Sequence, residues 1–367
     1  MTPREQILTI LNGQQPDRVP WFGDLDYLAT ALITKKERPA DFKQSPDYIK
    51  WHTELGVGFY LQGHFPFRPL FDFEEKIWQV GNRKYRTIIT PVGSLQECWA
   101  YIPTSYTEAP VEHLVKSERD LAALRFVYEH TRWQADYDFC YQRMEQIGDQ
   151  GILLCYLPKS PFMQLVALEA GIESVTFSAM NAPDEFAETL AVMKQSFDQA
   201  AQIAVDSPAE ALMIPENLSA EMVGPNFFEK FMRAYQQEWI EKIHAAGKSS
   251  FIHMDGTLKG LLRQESSTGV SVIEAMTPAP VGDAPIDDWA ALANNPGTIL
   301  WGGIPGSYFT PLISDDEFER FIRHALDVQR SAPRYVLGVA DQVPPDGLEY
   351  RIRRVRELVD KFGRYTR

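Results

Sequence analysis

His253 and Asp255 close an apolar run that begins at Ser249, and an extended backbone at that point turns both side chains to the same side. Three other apolar runs end in comparable residues: 211–214 is followed by Pro215, Glu216 and Asn217, 270–273 by Glu274, and 335–338 by Ala340, Asp341 and Gln342. If the runs are parallel strands ending side by side, one imidazole, four carboxylates and an amide face a common opening. A neutral imidazole with carboxylates can hold a divalent metal, and three protein ligands with an open position is the usual catalytic arrangement for zinc. The same residues suit metal-free acid–base work, because clustered carboxylates raise one another's pKa. They also suit a structural role, with His253 hydrogen-bonded in a core and the acids capping helices.

Further candidates flank other runs. Asp24, Asp26 and Tyr27 follow Val19 to Phe22, where they either line the same mouth or cap a helix. Lys159, after the run Gly151 to Tyr156, is either a positive contact for an anionic substrate group or a surface lysine. Trp301, with Trp21 and Phe162, is either a substrate-contacting pocket wall or core.

These residues depend on the elements that carry them. From residue 151 the chain alternates short apolar runs with helical patterns: 151–156 then 162–170, 210–214 then 225–246, 249–252 then 258–265, 270–274 then 287–293, 298–301 then 315–330, 335–338 then 346–362. A further helix covers 184–205. Val19 to Phe22 and Val57 to Leu61 bring the strand count to eight. Such alternation implies a parallel sheet, and eight units in one chain of 367 residues imply a single (β/α)₈ TIM barrel domain over residues 1–367. An open doubly wound sheet is the competing architecture, without a GxGxxG turn to support it. Residues 72–103 differ: Lys76 to Val80, the turn Gly81-Asn82 and Arg83 to Thr90 read as a β-hairpin, with Ser94 to Ile102 as a third strand. This is a β excursion inserted in the N-terminal third. Thr2-Pro3-Arg4-Glu5 reads as a capped helix start, and Asn12-Gly13 as its end.

The net charge of -14 argues against a nucleic-acid or anionic-membrane surface, both of which need a basic face. Cys98, Cys140 and Cys155 are widely spaced, without a CxxC, which suggests a reducing compartment. With a polar opening segment and no long apolar run, the expectation is a cytoplasmic protein.

Several stretches together resemble the uroporphyrinogen decarboxylase superfamily, which includes corrinoid-linked methyltransferases. They are Pro16-Asp17-Arg18-Val19-Pro20, Val223-Gly224-Pro225-Asn226-Phe227-Phe228, Phe251 to Gly256, Ile273-Glu274-Ala275-Met276-Thr277-Pro278, Trp301 to Pro305, and Leu337 to Pro345. The resemblance implies a (β/α)₈ barrel. The decarboxylase branch carries an Arg pair after the first strand and a His after the last. Here those places read Gly23-Asp24-Leu25-Asp26-Tyr27 and Ala340-Asp341. The methyltransferase branch holds zinc through a His-x-Cys pair and a later Cys, to which His253, Asp255 and Asp341 correspond. The resemblance thus implies a metal-dependent, methyltransferase-like enzyme with a small-molecule substrate and a corrinoid protein partner, and possible homodimers. In that reading His253, Asp255, Glu274 and Asp341 hold a divalent metal, zinc first. Glu216 and Asn217 orient substrate, and Asp24 or Tyr27 handles protons. The alternatives are a metal-free decarboxylase or lyase that grips a carboxylate through Lys159, and a non-catalytic corrinoid or tetrapyrrole binder.

Overall fold

Residues alternate in a strand between two faces, so a closed ring of strands needs one apolar face for its interior and another for the helices around it. The computed structural model, which describes residues 1–60 and 64–365, shows such a ring. Its strands are β1 (residues 21–22), β2 (Phe59–Tyr60), β3 (Gly151–Ile152 continuing as Leu154–Tyr156), β4 (Ala211–Leu218), β5 (Ser249–Met254), β6 (Val272–Met276), β7 (Ile299–Pro305) and β8 (Tyr335–Ala340). From β3 to β8 each strand pairs in parallel with the next. β2 joins β3 through Phe59–Gly151 and Tyr60–Ile152, and a parallel bridge from Phe22 to Gly58 brings in β1. The ring closes where Trp21 pairs with Leu337, with the Phe22 amide on the Leu337 carbonyl at 3.0 Å and the Leu337 amide on the Pro20 carbonyl at 2.9 Å. All eight expected strands are present, and closure excludes the open sheet. Leu61, the end of the second expected strand, lies outside the described residues.

Inward-facing Phe22, Tyr60, Met213, Phe251, Val272 and Trp301 belong to one interior cluster. Trp301 is its centre, with ring centroids 4.7 Å from Tyr60, 5.4 Å from Phe22 and 5.7 Å from Phe251. Gly338 on β8 makes room for it: a methyl at that position would sit 2.6 Å from the indole. The helix Pro3–Leu11 contributes Ile7 and Ile10 to the same cluster. Its Thr2–Glu5 capping box forms as expected, and Arg4 donates to the Gly151 carbonyl at 2.9 Å and pairs with Glu210. Those partners lie where β3 and β4 begin, so the helix plugs the N-terminal end of the barrel.

Outward residues such as Leu212, Ile214, Ile252, Ile273 and Leu337 meet the helical layer. The helix Asp315–Gln329 shows why it packs there: Phe318, Ile322, Ala325, Leu326 and Gln329 fall on one buried face, and Ser314 caps its start by accepting from the Glu317 amide. No helix among the described residues is long and apolar enough to cross a membrane.

The inserted β structure is larger than the sequence suggested. The expected hairpin pairs Val80 with Arg83, and the third strand is Gly93–Ile102. A fourth strand, Thr107–Glu112, completes an antiparallel sheet, and Phe67–Phe71 pairs separately with Thr131–Ala135. Pro110 and the polar residues of 107–112 give no strand pattern, as is usual at a sheet edge, where proline costs no ladder bond.

Gly338→Ala should crowd the indole of Trp301 and destabilise the fold by about 1–3 kcal/mol, the usual cost of overpacking a filled core. Urea unfolding measures this, and an unchanged midpoint would show that the interior yields at that place.

Candidate functional site

Above the apolar floor the inward positions turn polar. His253 is the inward residue of β5 after Phe251, Glu274 that of β6 after Val272, and Asp24 follows Phe22 out of β1. Three non-glycine residues at the strand ends, Asn217, Ala275 and Asp341, have φ of 53°, 64° and 64°. Side chains disfavour this left-handed conformation, and such strain clusters where chain direction serves a site. At Asp341 it follows directly on β8, at the rim facing His253.

His253 lies between two acids. Its Nδ1 is 2.7 Å from Glu274 Oε2 and its Nε2 is 3.9 Å from Asp341 Oδ1. The Tyr60 hydroxyl donates to the other Glu274 oxygen, Oε1, at 2.8 Å. Glu274, only 2% exposed, is thereby held between a ring N–H and a phenol. Burial opposes a charged imidazole, but the charge of Glu274, its hydrogen bond and the charges of Asp255 and Asp341 outweigh it, lifting His253 to about 9. Burial raises Asp341 to about 6, against the pull of His253 and with the push of Asp255 and Glu274. Asp24, which accepts from the Asp26 amide at 2.7 Å, is raised well above the carboxylate range by burial and then by Asp26, Asp341 and Glu274, so its neutral acid form is favoured. Tyr27 is raised by burial and by the charges of Asp341, Asp24, Asp26 and Asp255. Asp26 itself is paired with Lys43 at 2.7 Å.

Of the residues singled out from sequence, Asp24, Tyr27, His253, Asp255, Glu274 and Asp341 thus fall in one electrostatic neighbourhood. Glu216 does not join them. It accepts from the Ser160 amide at 3.1 Å, the Ser160 hydroxyl at 3.0 Å and Gln236 at 3.2 Å. It therefore faces the helical layer and anchors the chain after β3, which corrects the expectation that it orients substrate. Trp301, with no exposed surface, is floor rather than pocket wall. Lys159 lies at the rim, donating to the Pro215 carbonyl and to Asn217 Oδ1 at 3.3 Å. Burial lowers it to about 8, against the charges of Glu216 and Asp255.

The four expected metal ligands do not fit one ion as a set. Glu274 holds Nδ1, which takes it out of any ligand set with His253 and leaves Nε2, 3.9 Å from Asp341 Oδ1, as the ring nitrogen open to a ligand. No three ligand atoms of His253, Asp255, Glu274 and Asp341 lie within 4.8 Å of one another. Tyr60 was not among the residues singled out from sequence, although a tyrosine next to the end of an expected barrel strand was the available signal.

A family model described as uroporphyrinogen decarboxylase (URO-D) matches residues 105–362. A solved methyltransferase from Methanosarcina mazei is similar in fold, with a TM-score of 0.63 and 13% identity over 99% of this chain and 99% of that one. A fructuronate-tagaturonate epimerase from Cohnella laeviribosi, 12% identical over 72% of this chain and 71% of that one, has a TM-score of 0.27, too low to carry an argument. No curated protein matches the chain.

Because the folded pKa of His253 is raised, its pairing contributes stability that is fully present below about 6.5 and is lost as pH rises through about 9. Glu274→Gln should lower the His253 midpoint by about 1–3 units, the usual effect of one adjacent opposite charge. NMR of isotope-labelled histidine reads this, and an unmoved midpoint would show that Glu274 does not hold the proton there.

Proposed function

The chain belongs to the uroporphyrinogen decarboxylase family, and from that premise we propose that it is a methyltransferase-like enzyme in which His253 acts as general acid. The observation that carries this is the imidazole held between Glu274 and Asp341 at the open end of the barrel. When a methyl group leaves a substrate oxygen, sulfur or nitrogen, the carbon–heteroatom bond breaks and its electron pair stays on the heteroatom. That atom then needs a proton, and Nε2 of the imidazolium, facing the mouth, supplies it. Glu274 fixes the ring through Nδ1 and stabilises its charge, while Tyr60 fixes Glu274. Asp341, with a pKa near 6 and 3.9 Å from Nε2, is the group through which His253 regains its proton. A separate corrinoid protein would supply the methyl acceptor. No step requires a metal held by these four residues.

The charge balance favours this over decarboxylation of a polycarboxylate. Asp255, Glu274 and Asp341 surround the mouth against the charges of His253 and Lys159, an excess of acid that repels a substrate with many carboxylates.

The test uses free cob(I)alamin as acceptor with methoxy, methylthio and methylamino compounds, reading methylcobalamin by visible absorbance. Wild type should show turnover that falls on the alkaline side with an apparent pKa of about 9, and His253→Gln should lose about 10²–10⁴-fold, the usual worth of a positioned general acid. Full turnover in His253→Gln, or CO₂ release from carboxylated substrates without methyl transfer, would overturn the proposal.

A further inference from the structure

Outside the mouth, three groups far apart in sequence converge. Cys155 lies on β3 next to inward-facing Leu154 and belongs to the outer cluster, so it points toward the helical layer. Cys140 lies on the helix Asp138–Ile147, with its Sγ 3.5 Å from that of Cys155. His64 follows β2 in the chain, and its carbonyl accepts from the Tyr156 amide at 2.8 Å. One ligand atom from each of these three residues lies within 4.8 Å of the others. The cysteines are buried and unbridged, and His64 Nε2 is buried without a hydrogen-bond partner.

We propose that His64, Cys140 and Cys155 form a three-ligand metal site for a thiophilic divalent ion, Zn²⁺ being the ion that suits this donor set, with the fourth position open to water. Two thiolates and one imidazole are soft donors of the kind zinc takes. Two thiolates neutralise a divalent ion, and a neutral centre is what a buried place tolerates. The spacing agrees: Zn–S bonds of about 2.3 Å at a tetrahedral angle put the sulfurs about 3.8 Å apart, close to the separation here, whereas a disulfide requires about 2.05 Å. The place also has a use for a clasp. β2 holds β3 by two residue pairs, and the three ligands come from the chain after β2, from β3 and from the helix packed outside them. A bound ion would tie the shortest paired strand of the ring to its neighbour. This site shares no residue with the mouth.

The test is zinc titration of the reduced, full-length protein against a competing chelator, with Co²⁺ as spectroscopic probe. One equivalent of Zn²⁺ should bind, with thiolate-to-cobalt charge-transfer absorption in the Co²⁺ form and a melting temperature that rises with free Zn²⁺. His64→Ala, a change at a partly exposed loop residue that leaves the core intact, should weaken binding at least about tenfold, in line with loss of a ligand shell. Cys140→Ser should abolish the charge-transfer band, and His253→Ala should leave binding unchanged. Absence of stoichiometric zinc in the reduced protein would overturn the proposal. So would loss of zinc in His253→Ala with retention in His64→Ala. Formation of a Cys140–Cys155 disulfide in a protein that takes up no zinc when reduced would overturn it equally.

Discussion

The hydrogen bond between His253 and Glu274 holds the upper layer of the barrel together. Below it the interior is filled by aromatic and aliphatic side chains around Trp301, a medium in which an unpaired charge is costly. A carboxylate and an imidazole placed directly on that floor must satisfy each other. They do so with one oxygen on the ring nitrogen and the other on the Tyr60 hydroxyl. Removing one partner of a buried pair typically costs about 3–5 kcal/mol, because the remaining charge is left without compensation. The pair is therefore both a structural joint between β5, β6 and β2 and the place where a proton is kept.

The rest of the mouth follows from that joint. With Nδ1 committed to Glu274, only Nε2 faces the opening, and the left-handed turn at Asp341 holds a second acid within reach of it. Asp24, pressed between burial and neighbouring charges, favours its neutral form. A layer of one histidine and several acids thus differentiates into a charged ring, an ionised clamp and protonatable neighbours, although the residue types alone do not distinguish these roles.

Much of this was legible in the sequence. The alternation of short apolar runs with helical patterns placed all eight strands and thereby brought Asp24, His253, Glu274 and Asp341 to one end. What the sequence could not show was direction within the strand ends. Glu216 follows its strand as closely as His253 follows its own, yet it faces the helices, and only its partners Ser160 and Gln236 reveal it. Spacing likewise does not tell which nitrogen of a ring each acid meets, so Glu274 on Nδ1 was not distinguishable from an acid facing Nε2. Cys140 and Cys155 looked unrelated because no local motif joins them, whereas packing of a helix on β3 brings their sulfurs together. The strand at 107–112 was hidden by its proline.

The helix Pro3–Leu11 seals one end of the barrel with Ile7 and Ile10, and the interior above it is solid. The molecule is a blind vessel rather than a conduit. Among the described residues, whatever enters the barrel must leave by the way it came, so anything arriving and anything departing share one doorway.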